Sequence, residues 1–144
     1  CFLSQKVVRA AVRIHAGQQD KLKLGNLDAR RDWGYAREYC EWIWRIMQYP
    51  EPTDFLIATG ENHTVEEFVA ETFACLDIDW REFVVRDTDL MRPAEVDELL
   101  GDPSKARRLL GFEPKIRFKE LVRLMVDYEL KAFSNPRGCP ADAD

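Results

Sequence analysis

Histidine is scarce in this 144-residue chain: there are only two, His15 and His63. Neither stands near a plausible nucleophile, and there is no G-x-S-x-G turn, so nothing here supports a hydrolase triad. The four cysteines, at positions 1, 40, 75 and 139, never share a zinc or redox spacing. Neither a disulfide framework nor a metal site is expected, and incidental thiols fit a cytoplasmic protein. No uncharged apolar run approaches the roughly 18 residues of a membrane span. Seven glycines and seven prolines are too few for collagen or low-complexity disorder. No glycine-rich phosphate turn is present. No tyrosine is followed by lysine four positions later.

Charge excludes another class. The chain carries 21 basic and 26 acidic residues, a formal net charge of -5, with the cations dispersed among the acids. That argues against a nucleic-acid footprint and leaves room only for a small anion site. The first residue is Cys, and Phe2-Leu3 leads straight into an amphipathic helix pattern. We therefore expect the N-terminus to be a cut through a longer protein.

What is present alternates between two periods. Leu3, Val7, Ala10, Ala11 and Ile14 recur at helical spacing up to Gly17. Lys21 to Leu24 alternates at period two and predicts a strand ending at Gly25, followed by a loop over 25–32. Trp33, Ala36, Cys40, Ile43, Trp44 and Met47 trace one face of a helix over 33–49, stopped by Pro50 and Pro52. Phe55 to Thr59 reads as a buried strand. Thr64 and Glu67 form a capping-box pattern ahead of Val65, Phe68, Val69, Phe73 and Leu76. Glu82 to Arg86 is a third strand, and Arg92-Pro93 opens a helical turn through Leu100. Asp102-Pro103 starts a helix with Asp as N-cap, and Gly111 ends it. A last helix from Phe118 buries Leu121, Val122, Met125 and Tyr128. The alternation indicates an α/β fold with three short strands and several helices. Residues 1–133 form the folded portion and 134–144 a flexible tail.

Two loops could carry chemistry. In Gly25-Asn26-Leu27-Asp28-Ala29-Arg30-Arg31-Asp32-Trp33, adjacent arginines lie between a strand and a helix start. There they could grip an anion, or simply bridge Asp28 and Asp32. In Arg92-Pro93-Ala94-Glu95-Val96-Asp97 an arginine precedes a rigid turn, which could equally be a helix cap. His15 and His63 read as a surface and a capping residue. Glu66-Glu67 and Asp97-Glu98 read as solvated faces. No residue is assigned a catalytic role.

The wording of these segments is distinctive. Leu24-Gly25-Asn26-Leu27-Asp28-Ala29-Arg30-Arg31-Asp32-Trp33-Gly34-Tyr35-Ala36 resembles the segment that follows the nucleotide-binding half of GDP-mannose 4,6-dehydratases. Phe55 to Glu61 resembles their next strand. Arg92 to Asp97, followed by Leu100 to Ala106, resembles their substrate clamp. The likeness runs in order from Phe2 to Tyr128. It implies the C-terminal, substrate-binding part of an extended Rossmann-type short-chain dehydrogenase fold. The implied enzyme is a lyase using bound NADP. Hydride leaves C4 of the mannose ring, water is eliminated across C5 and C6, and the hydride returns at C6. The product is GDP-4-dehydro-6-deoxy-D-mannose, a precursor of GDP-fucose.

The resemblance also implies the nucleotide-sugar contacts: Leu3, Lys6, Asn26, Leu27, Arg30, Arg31, Arg92 and Glu95. Arg31 and Arg92 would hold the diphosphate from two sides. NADP would be bound mainly by the missing N-terminal half, which carries the family's reacting residues. The fragment alone would be inactive, and the full-length enzyme a homo-oligomer. Gln5 and the segment Asp87 to Met91 depart from the family pattern. Two other readings stand beside this one. One is an epimerase or reductase of the extended short-chain dehydrogenase group acting on another nucleotide sugar. The other is a non-catalytic nucleotide-sugar-binding fragment.

Overall fold

A computed structural model describes residues 2–91 and 96–135. Helix α1, Leu3–His15, is amphipathic, with Lys6, Arg9 and Arg13 on the side opposite its apolar residues. It buries Val7, Val8, Ala10, Ala11, Val12 and Ile14, a wider stripe than one helical face. Strand β1, Leu22–Leu24, alternates as expected: Leu22 and Leu24 are buried and Lys23 is exposed. It pairs in parallel with the strand Val84–Arg86, Leu22 opposite Val84 and Leu24 opposite Arg86.

Helix α3, Val65–Ala74, begins at the capping box read from the sequence. The Thr64 hydroxyl accepts from Glu67 N at 3.0 Å, and the Glu67 carboxylate accepts from Thr64 N at 2.7 Å. Helix α5, Phe118–Ser134, packs on both α1 and α3. The three helices and β1 enclose one core, whose largest fully buried side chains include Phe68 and Phe73. A second, smaller core forms where Trp42 of α2, Ala36–Met47, meets Ala106 and Phe112. Ala106 belongs to α4, Ser104–Leu110, and Gly111 ends that helix in the left-handed region at φ +67°.

Several expectations are corrected. The sheet is not a single three-stranded layer. Besides the parallel pair, β2, Arg30–Arg31, lies within the segment read as loop and pairs antiparallel with β3, His63–Thr64. The parallel partner of β1 is therefore β4. Residues 55–59 join no ladder among the described residues. Phe55 and Ile57 lie against the Trp42 core instead, while Leu56 is exposed. Apolar character alone does not distinguish the two kinds of burial.

Helix α2 is shorter than 33–49, and Trp33 lies ahead of it, stacked on Phe68 at 4.6 Å. The stretch 96–100 is not helical; Glu98 bridges Arg30 in parallel. Arg92 to Glu95 lie outside the described residues. Helix α4 starts one residue later than expected, with Pro103 at its N-cap, although the Asp102 carboxylate still accepts from Ser104 N at 2.9 Å. Tyr128 is exposed, and Val126 takes the buried place one turn of α5 offers. Ser134 closes α5, so the tail's first residue is helical; 136–144 lie outside the described residues. His15 is exposed as expected, whereas His63 stacks on Phe118 at 3.8 Å instead of merely capping.

The apolar face of α2 is uncovered: Ile43, Trp44 and Met47 are 54%, 62% and 75% exposed. Apolar surface of this kind drives association. We expect the purified chain to bind ANS and to self-associate by light scattering. Trp44→Gln combined with Met47→Gln should reduce both signals.

The capping box gives a second expected outcome. Thr64→Ala should cost about 1 kcal/mol of stability in urea unfolding. The hydrogen bond from Thr64 N, assisted by His63 and Arg30, holds the Glu67 carboxyl below its ordinary value of 4.5. Its stabilising contribution is therefore complete above that pH and is lost as pH falls through the lower folded value. Urea midpoints measured below pH 4.5 should fall less steeply in Glu67→Gln than in the parent.

Candidate nucleotide-sugar site

Both strands of the parallel pair end on the same side of the molecule, at Leu24 and Arg86. Open α/β arrangements place ligands in the crevice beyond such carboxyl ends. A cavity of about 740 Å³ occupies that position here. Its wall comprises the first turn of α1 (Phe2, Leu3, Ser4, Lys6), the end of β1 with its turn (Leu24, Gly25, Asn26), Arg31, Trp33 and Leu90.

The residues behave differently according to why they are there. Helix α1 has no side-chain cap and no acid in its first turn, so its amino-terminal N–H groups and dipole favour an anion. Lys6 donates from Nζ to the carbonyl of Lys23 at 2.8 Å, a neutral acceptor that orients the ammonium group. Arg31 donates to the carbonyls of Arg30, at 2.7 Å, and Val96, at 2.9 Å. The Asn26 side chain accepts from Asp28 N at 2.9 Å and closes the turn after β1. Gly25 is required by close packing: a Cβ there would lie 2.6 Å from the carbonyl oxygen of Leu90. Among the described residues the wall holds two cations, Lys6 and Arg31, and no carboxylate. In a chain of net charge -5, that local sign is the cavity's chief chemical property.

Of the residues expected from the sequence, Leu3, Lys6, Asn26 and Arg31 come together on this wall. Leu27 does not; its side chain is 1% exposed within the main core. Arg30 does not line it either. Its backbone donates to Asp97 O at 2.7 Å and accepts from Leu99 N at 3.0 Å, and its guanidinium meets Asn62 Oδ1 at 3.3 Å. Arg92 and Glu95 fall outside the described residues. The bridging alternative is not realised for Asp28, which pairs with Arg86 at 3.2 Å. Asp32 instead accepts from Thr59 N, the Thr59 hydroxyl and Gly60 N.

The sequence reading missed Trp33, Leu24, Gly25 and Leu90 as wall residues. Period-two alternation from Arg31 would have pointed to Trp33. The others depend on a contact between distant turns. Tyr39, near Asp32, is pushed up to about 12 by burial and by the Asp32 and Glu38 carboxylates, so its phenol stays protonated. Among the described residues no cluster could hold a metal ion, and no helix is long and apolar enough to cross a membrane.

A family profile described as GDP-mannose 4,6 dehydratase matches residues 1–125. The chain is 48% identical over 130 residues to GDP-mannose 4,6 dehydratase 2 of Arabidopsis thaliana, covering 90% of this chain and 35% of that protein. It is 40% identical over 153 residues to the Homo sapiens GDP-mannose 4,6 dehydratase, covering 94% and 41%. The chain thus spans well under half the length of these relatives. Among solved structures, RMD from Pseudomonas aeruginosa complexed with NADPH superposes with a TM-score of 0.80 at 20% identity, covering 90% of this chain and 43% of that one. The dTDP-glucose 4,6-dehydratase of Bacillus anthracis in complex with NAD gives 0.72 at 17% identity, covering 87% and 39%. At these identities the two structures establish the fold alone: part of an extended Rossmann-type fold.

The cavity's floor can be tested directly. Gly25→Ala forces a methyl group against the Leu90 backbone, which a flexible side chain cannot relieve. We expect a loss of about 1–3 kcal/mol in urea unfolding, typical of overpacking. The Trp33 environment should change with it in near-ultraviolet circular dichroism.

Proposed function

We propose that this chain, which belongs to the GDP-mannose 4,6-dehydratase family, supplies the nucleotide-sugar-binding portion of an enzyme that converts GDP-mannose to GDP-4-dehydro-6-deoxy-D-mannose. The observation that carries the reading is the cavity wall of Lys6, Arg31 and the uncapped start of α1, with no carboxylate among its described residues. A diphosphate is the part of the substrate that such a wall suits, since cations and free N–H groups both stabilise phosphate oxygens. Trp33 adds an aromatic surface beside them. Binding energy gathered at the diphosphate orients a sugar whose reacting carbons lie elsewhere.

The family implies NADP, whose nicotinamide would accept and return the hydride. The residues described here do not fit a dinucleotide by themselves. The sequence has no glycine-rich turn joining a strand to a helix. We therefore assign NADP, and the groups that move protons, to residues outside this chain. What this chain contributes is binding and orientation. By the same reading the complete enzyme is cytoplasmic, homo-oligomeric and placed before GDP-fucose.

Two outcomes follow. The purified chain should show no turnover of GDP-mannose above a buffer control and no tight NADP binding by fluorescence titration. In a full-length polypeptide that carries this sequence, Arg31→Ala should weaken GDP-mannose binding by about 1.5–3 kcal/mol, the range for a hydrogen bond to a charged group. Arg31→Lys should restore only part of it, because a point charge lacks the guanidinium fork. Calorimetric titration that gave both variants the parent affinity would remove Arg31 from the site.

A further inference from the structure

The extended chain through Arg31, Asp32 and Trp33 alternates its side chains. Arg31 and Trp33 both line the cavity, whereas the Asp32 carboxylate turns to the opposite side. There it gathers donors from two other segments. Its Oδ1 accepts from Thr59 N at 3.0 Å and from the Thr59 hydroxyl at 2.6 Å. Its Oδ2 accepts from Gly60 N at 3.1 Å and from Gly101 N at 3.4 Å. Thr59 is almost fully buried, and its carbonyl is itself held by Arg107 at 3.0 Å. The carboxylate is thus anchored to a part of the fold that includes α4. Backbone N–H groups bonded to an ionised carboxylate are among the stronger hydrogen bonds a protein makes.

We propose that Asp32 is a positioning residue for the cavity: it fixes Arg31 and Trp33 in the wall by locking the residue between them to the Thr59–Gly60 turn and to Gly101. It touches no ligand itself. Chain geometry makes the coupling direct, because rotation of the backbone at Asp32 swings both neighbours together. A carboxylate is required, since both of its oxygens accept: Oδ1 from Thr59, and Oδ2 from Gly60 and Gly101. An amide offers one oxygen and sets an N–H₂ group against the other pair of donors. The proposal rests on the reading of the cavity as a nucleotide-sugar site, and the test separates the two.

The experiment compares Asp32→Asn, Arg31→Ala, their double variant and Leu76→Ala, a core substitution outside the cavity wall. Calorimetry with GDP-mannose is one readout. The Trp33 indole N–H resonance and the amide exchange of Gly60 and Gly101, recorded without ligand, are the others. We expect Asp32→Asn to weaken binding roughly tenfold or more, as loss of a charge-assisted contact does. The double variant should lose less than the sum of the two single losses, because part of the Asp32→Asn loss already acts through the Arg31 guanidinium. The indole resonance should shift and both amides exchange faster in Asp32→Asn, and neither should change in Leu76→Ala. Unchanged affinity in Asp32→Asn, or losses that simply add in the double variant, would overturn the proposal. If the parent chain binds no GDP-mannose, the functional reading falls. Asp32 is then judged on the ligand-free signals, where an unmoved indole resonance counts against it. Should Asp32→Asn fail to fold, Thr59→Val removes one donor from the same carboxylate and is read in the same way.

Discussion

Burial of Leu22 and Leu24 beneath α1 is the contact on which the rest of the structure depends. A parallel pair of three-residue strands has little stability of its own. Covering each leucine contributes about 1.5–3 kcal/mol, and that is available only with α1 lying along the strand. Once α1 is there, its direction places its first turn at the carboxyl end of β1. The same end receives the turn after β1 and the 3₁₀ turn Thr88–Leu90 that follows β4. The cavity is therefore a by-product of how one helix covers one strand, and its uncapped N–H groups come with that geometry.

Local patterns in the sequence reported this arrangement well where one segment suffices. The capping box at Thr64 and Glu67, the left-handed glycine at 111 and the alternation at Leu22 to Leu24 all involve neighbours in the chain. The breadth of the buried face of α1 was harder to see, because Val8 and Val12 fall outside the stripe of Leu3, Val7, Ala11 and Ile14 yet are fully buried. Residues 55–59 read as a strand because their side chains are mostly apolar, and Phe55, Ile57 and Ala58 are indeed at least partly buried. Which backbone they pair with is a separate question that periodicity does not address. The pairing of Arg30–Arg31 with His63–Thr64 left no hydrophobic signal at all, being carried by backbone bonds among polar residues.

The candidate site shows the same division. Lys6, Asn26 and Arg31 were recognisable from the family likeness, and all three reach the wall. Leu27 carried the same likeness yet lies in the core, where its carbonyl holds Glu66 N at 2.9 Å and its side chain packs. The side chain of a matching residue can thus serve the core while its neighbours line the cavity. Asp32 was read only as a possible partner for its neighbouring arginines. Its real partners, Thr59, Gly60 and Gly101, lie far away in sequence, which is why spacing could not reveal them.

The packing of α1 against α5 has a consequence for the order in which the molecule can form. The first helix and the last described helix share one core, and β1 finds its partner sixty-two residues later, Leu22 opposite Val84. Contacts of such wide separation cost loop entropy before they return any stabilisation, and they slow folding. During synthesis α1 would leave the ribosome with its apolar face unmet, and it could not be enclosed until α5 had followed it out. Within this segment the helix most in need of cover is thus made well before the helix that completes its cover, an interval in which a chaperone has an obvious substrate.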